Sequence, residues 1–187
     1  MKRGIWAYKK EITIALIIAF YAFLPSISVS AQPFGQGVFG ADVPFGSATS
    51  LSINLGSNVP LSLSPSGGNF SGNGSHIVTV TSTDVVGYYL YAHTTGTTNM
   101  TSGGATIAAS GNASDASLSV GTWGYNTTGS TSNFRGMNST NVLLKDASGP
   151  FKSGDATTIT YGALVGNTQA AGTYSIPITY TAVAKNQ

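Results

Sequence analysis

The chain has 187 residues, no cysteine, 7% charged side chains and a formal net charge of +2. That positive balance comes from Lys2, Arg3, Lys9 and Lys10. Beyond residue 31 only Arg135, Lys145, Lys152 and Lys185 stand against Asp42, Asp84, Asp115, Asp146 and Asp155. No basic patch remains to hold a phosphate backbone, which argues against nucleic-acid binding, and disulfides and cysteine-ligated metals are excluded outright.

The first element is a leader. A basic start is followed by an apolar run over residues 12–24, ended by Pro25. Then comes SISVSAQ, where Val29 and Ala31 suit the small-residue positions of a cleavage site. Basic, apolar, small is the order of a secretory signal peptide, here residues 1–31. The apolar run is shorter than the roughly 20 residues of a membrane-spanning helix; an uncleaved anchor is the competing reading. Residues 32–48 form a Gly- and Phe-rich extension, QPFGQGVFGADVPFGSA. It reads either as a linker that folds back on the domain or as a donor strand, with Phe34, Val38, Phe39, Val43 and Phe45 as the inserted side chains.

From Thr49 a single domain begins, running to residue 187. Leu51, Ile53 and Leu55 alternate with polar residues, the period of a half-buried strand. Val59, Leu61 and Leu63 repeat the pattern, with Pro60 hinting at an edge. Residues 64–74 read as loop, 76–82 and 87–92 as strands. Residues 94–104 carry no pattern, and 105–109 make a weak strand. Residues 118–125, with Val120 and Trp123, read as a strand, followed by a loop over 126–140. A short strand is expected at 142–144, another loop at 146–154 and a strand at 156–165. Residues 172–184 make the clearest strand, with Tyr174, Ile176, Ile178, Tyr180, Ala182 and Ala184 on one face. No apolar period of 3.6 follows the leader. The class expected is all-β: an antiparallel β-sandwich, Ig-like or jelly-roll-like, of about eight to ten strands, with a barrel as the alternative.

Chemistry is sparse. No glutamate follows the leader, and the five aspartates sit at turns, where Asp bonds its own backbone. His76 and His93 are the only histidines, and no G-x-S-x-G elbow or H-E-x-x-H motif occurs. Asp146 and Asp155 flank one loop and offer at most a weak calcium site, without EF-hand spacing. No cofactor is implied, and an enzyme is not expected. A hydrolase with a loop-borne Asp or His site is the remote alternative. Trp123, Tyr125, Tyr89 and Tyr91, with Tyr88, could make a sugar-stacking platform; against that, Trp123 reads as a core anchor between two sheets. Sequons occur at Asn69, Asn73, Asn99, Asn112, Asn126 and Asn138, and matter only in a host that glycosylates asparagine.

Three segments also resemble one another's setting in a known group. They are TVTSTDVVGYYL (79–90), TWGYNTTGSTSNF (122–134) and SGPFKSGDATTITYGALVGNTQAAGTYSIPITYTAVA (148–184). Together they resemble exported surface proteins of candidate-phylum, Saccharibacteria-type bacteria. The closing GTY…YTA is distantly similar to the last strands of WxL-type cell-wall-binding domains, although Trp123 is followed by Gly124 and Tyr125 rather than the WxL signature. The resemblance implies a bacterial surface β-sandwich, an adhesin or a pilus-like subunit, whose partner is itself, a surface glycan or another surface protein. It carries no site residues over.

Overall fold

In the computed structural model the described residues are 49–185. The expected signal peptide and extension, with Phe34, Val38, Phe39, Val43 and Phe45, lie outside them. Twelve strands and no helix make up the described chain. They are β1 (Ser50–Leu55), β2 (Ser64–Ser66), β3 (Asn69–Thr83), β4 (Gly87–Thr94), β5 (Met100–Ser102), β6 (Ala105–Ala109), β7 (Ala116–Ser117), β8 (Thr122–Asn126), β9 (Asn133–Phe134), β10 (Val142–Ser148), β11 (Asp155–Gly166) and β12 (Ile178–Ala184). The class is all-β, as expected.

The larger sheet runs β1-β3-β11-β8-β6-β5, with β2 also on β3, and curls into a half-barrel. A three-stranded sheet runs β10-β4-β12, and β7 pairs β9. The expected wholly antiparallel pairing needs correcting, because β6 and β8 are parallel over Ala108–Thr122 and Ala109–Trp123. The chain between them, residues 110–121, provides the crossover that a parallel pair requires.

Alternation decides which face is buried. On β4, Tyr88, Leu90, Ala92 and Thr94 are buried, while Tyr89, Tyr91 and His93 face outward. On β3, Val78, Val80 and Ser82 are buried; on β11, Ile159, Tyr161, Ala163 and Val165 are. These two inward faces meet. Tyr88 donates to Asp155 Oδ2 at 2.8 Å, and Tyr180 of β12 bonds both His76 of β3 and Tyr161 of β11.

A predicted loop, 64–74, and a stretch without pattern, 94–104, both contain strands. Residues 64–74 hold a hairpin, because Gly67 and Gly68 both have positive φ (57° and 82°) and close a two-residue turn between β2 and β3. Gly103 and Gly104 (53° and 91°) do the same for β5 and β6. In the other direction, Val59, Leu61 and Leu63 form no strand. They lie over the inner face of β3 at Gly72 and Gly74, where a Cβ on Gly74 would stand 3.0 Å from the Pro60 carbonyl oxygen. The segment thereby packs Val59, Leu61 and Leu63 against the core.

The predicted strand over 118–125 starts only at Thr122, and β10 runs on to Ser148. The closing strand is shorter than expected. Pro177 has no N–H to give, so it accepts from Thr95 one-sidedly, and Ser175 pairs instead with Thr101 of β5.

The loop over 126–140 is a packed lid. Phe134 is 3% exposed and lies against Gly162, with Gly124 beside it, on the outer face of the larger sheet. Arg135 exchanges backbone hydrogen bonds with Tyr125 at 2.9 and 2.8 Å. Asn126 is fully buried. Its Nδ2 donates to Ser130 O and Asn133 O, both at 2.8 Å, while its Oδ1 accepts from the N–H groups of Thr128 and Gly129.

Candidate functional site

The most accessible feature is a seam between β1 and β12. Among the described residues each is an outermost strand: β1 pairs only with β3, and β12 only with β4. The two approach each other, but no ladder joins them. Lys185 N–H donates to Gly87 O, so by alternation the odd residues of β12 bond β4. Ile178, Tyr180, Ala182 and Ala184 therefore turn their backbone groups to the open edge and their side chains inward. On β1, Gly56 N–H bonds Ile77 O, so Leu51, Ile53 and Leu55 likewise turn backbone outward and side chain inward. Their cover is incomplete: Ile53 is 36% exposed and Leu55 47%. All four inward side chains of β12 are only half-buried, whereas Leu90 and Ala92 beside them on β4 are wholly buried.

The floor of the seam is polar. His76 Nε2 lies 2.7 Å from the Tyr180 hydroxyl, and Tyr180 in turn bonds the Tyr161 hydroxyl. Burial pushes Tyr161 well above the ordinary tyrosine range; the neighbouring Tyr180 adds to it. Burial takes Tyr180 up to about 12, opposed by its bond from Tyr161. Burial lowers His76, with the Ser57 backbone pulling the other way. The three side chains thus form a neutral chain of hydrogen bonds at ordinary pH.

The remaining long outer strand is treated differently. On β10 the register slips between Leu143 and Lys145, and Lys145 and Asp146 sit on the strand. A bulge and charges are the usual means of stopping one edge from pairing with another. The sequences SLSINL of β1 and ITYTAVA of β12 carry no charge and no proline, and their ladders show no bulge.

The side chains singled out from sequence fall in separate places. Trp123 is wholly buried and Tyr125 is 2% exposed, so neither can stack on a sugar, and the four-aromatic platform is corrected. Trp123 Nε1 donates to Thr98 O at 2.9 Å, and its ring lies 6.4 Å from that of Tyr161, as a core anchor should. Tyr89 and Tyr91 sit half-buried on the outer face of β4, rings 6.1 Å apart, with Lys185 Nζ 4.7 Å over Tyr89. Asp146 and Asp155 do not converge: Asp146 pairs with Lys185, and Asp155 with Lys145 and Tyr88. Asp115 pairs with Arg135 at 2.6 Å. Asp84 occupies the β3–β4 turn at φ 54°, with Oδ2 buried and unpartnered among the described residues. No three His, Cys, Asp or Glu side chains among the described residues gather as a metal site. Of the sequons, Asn126 is buried and the Nδ2 of Asn112 donates to three carbonyls, so neither amide is free to be modified in the folded state.

The seam itself was not read from the sequence. The signal was there: two apolar strands, 50–55 and 178–184, lacking the charges that protect β10. Which strands end up outermost depends on long-range pairing. Comparison of the chain with family models, with curated proteins and with solved structures returns no match.

Proposed function

We propose that this chain is an exported, non-enzymatic surface protein, a structural or adhesive β-sandwich subunit that assembles with itself by strand addition. The leader of residues 1–31 supports export. The facing of β4 and β12 against β3 and β11 supports the sandwich. The ion-paired state of Asp115, Asp146 and Asp155 speaks for structural rather than catalytic carboxylates. The observation that carries the reading is the seven-residue edge of β12, uncharged and, among the described residues, unpaired beside the exposed Ile53 and Leu55 of β1. Such an edge is a template for another strand.

The test is to export the full chain with its own leader from a bacterial host and size it by light scattering and negative-stain microscopy. Wild type forms linear oligomers. Ala182→Pro removes an N–H that points at the open edge, leaves the bonds to β4 in place and yields monomers with an unchanged melting temperature. A wild type that stays monomeric at every concentration refutes the reading.

The second reading, a glycan- or cell-wall-binding module, rests on the outward Tyr89 and Tyr91. Binding on a glycan array that Tyr91→Ala abolishes, and that Ala182→Pro leaves intact, selects it over the first.

A further inference from the structure

We infer that the open edge of β12 receives residues 39–45 of a second copy of this chain, running antiparallel to β12. The inference rests on the self-assembly reading above and names its partner.

The first argument is pattern. In FGADVPF, residues 39–45, Phe39, Ala41, Val43 and Phe45 alternate with Gly40, Asp42 and Pro44. Four apolar side chains would lie on one face of a seven-residue strand. The β12 edge is also seven residues, with four inward side chains, Ile178, Tyr180, Ala182 and Ala184.

The second argument is hydrogen bonding. In an antiparallel pair, opposed residues share a face, and those that exchange both bonds sit directly opposite each other. The residues of β12 that aim at the open edge are the inward ones. Their partners must therefore also be the inward ones, which sets Phe45 against Ile178, Val43 against Tyr180, Ala41 against Ala182 and Phe39 against Ala184. In this register Pro44, which has no N–H, turns away from β12 and costs no ladder bond. Asp42 and Pro44 then mark the new outer edge, a charge and a proline where an edge needs protection. Sizes also match. Phe39 falls on the small Ala184, while Val43 and Phe45 fall toward the exposed Ile53 and Leu55.

The third argument is reach. Ser50 pairs with Thr83, and Ala184 with Tyr88, so both lie at the β3–β4 turn end; Ile178, paired with Thr94, lies at the far end. In this register Phe45 sits at the far end. To return to its own Ser50 the chain must cover about 20 Å along the strands, before any distance across the seam. The five steps from Phe45 to Ser50 span about 18 Å at full stretch. The segment cannot fill its own edge in this direction, so a neighbour must provide it.

Because the chain has no cysteine, engineered pairs report cleanly. The full exported chain carrying Ala41→Cys and Ala182→Cys is oxidised mildly and run without reductant. A second pair, Phe39→Cys with Ala184→Cys, covers the case in which the first does not fold, judged by thermal melting. The expected result is a ladder of disulfide-linked oligomers. It forms at least about tenfold faster than with Ala41→Cys and Thr181→Cys, whose second thiol lies on the opposite face. A disulfide confined to the monomer overturns the inference, since the segment then fills its own edge. Equal rates for both pairs, or no cross-link in oligomers that still form, also overturn it and leave self-assembly standing. A wild type that never assembles removes both.

Discussion

Gly162 and Phe134 provide the sharpest test of the packing. A methyl built on Gly162 would stand 2.6 and 2.7 Å from the two Cε atoms of Phe134. Ordinary carbon–carbon contact is about 3.5–4 Å, so the deficit is close to 1 Å. The ring cannot swing away cheaply. The Phe134 carbonyl accepts from Asn112 Nδ2 at 3.0 Å, the residue pairs with Ala116, and the next residue is bonded to Tyr125 on both sides. Gly162→Ala should therefore cost about 1–3 kcal/mol, the range for overpacking. Phe134→Ala empties the same space and should cost about 3–5 kcal/mol. In the double variant the clash is gone, so its loss should fall short of the summed single losses by about 1–3 kcal/mol. Denaturant unfolding of the four proteins, with unchanged m values, measures this. Additivity within about 0.5 kcal/mol, or a neutral Gly162→Ala, would refute the account of the lid.

Three further outcomes follow from the described side chains. Trp123→Ala should lose about 3–5 kcal/mol in guanidinium unfolding, with a further contribution from the stranded Thr98 carbonyl; a loss under about 1 kcal/mol would return Trp123 to the surface. Burial holds His76 below its ordinary value of 6.5, so the unfolded chain takes up its proton first. Stability should then be flat above about pH 6.5 and fall below it, and His76→Gln should flatten that slope in melting curves from pH 5 to 8; an unchanged slope contradicts it. Asn126→Asp swaps two donors for acceptors against the Ser130 and Asn133 carbonyls. It should cost about 2–4 kcal/mol and expose residues 127–133 to hydrogen exchange, and native-like protection there would show that the amide does not organise the loop.

Where side chains are long and apolar, the fold was legible. The alternation at 51–55, 76–82, 87–92 and 156–165 marked strands that exist, and the inward face of 178–184 was read residue by residue. Trp123 was legible as a core anchor by its type. The failures share a cause. SPS and MTS are too short and polar to show a period, so only the paired glycines at 67–68 and 103–104 betrayed their hairpins. Val59, Leu61 and Leu63 alternate like a strand because their inward side chains are half-buried, yet their backbone lies over the face of β3 instead of pairing with its edge. Alternation reports burial, and burial does not fix hydrogen-bond partners. The seam was invisible for the same reason. Its two edges are 123 residues apart, from Leu55 to Ile178, and nothing local shows that both end up outermost.

The position of β11 has a kinetic consequence. It joins β3 to β8, and its partners on β3 lie as far as 97 residues upstream, as Gly166 and Asn69 show. Until β11 is available the larger sheet is two unconnected pieces, and β12 comes later still. Non-local pairing of this kind is slow, because the loop must close before the contacts reward it. A chain emerging from its amino end would thus complete the larger sheet only after residue 166 had appeared. Under the export proposed above, that order places completion of the sheet after most of the chain has passed.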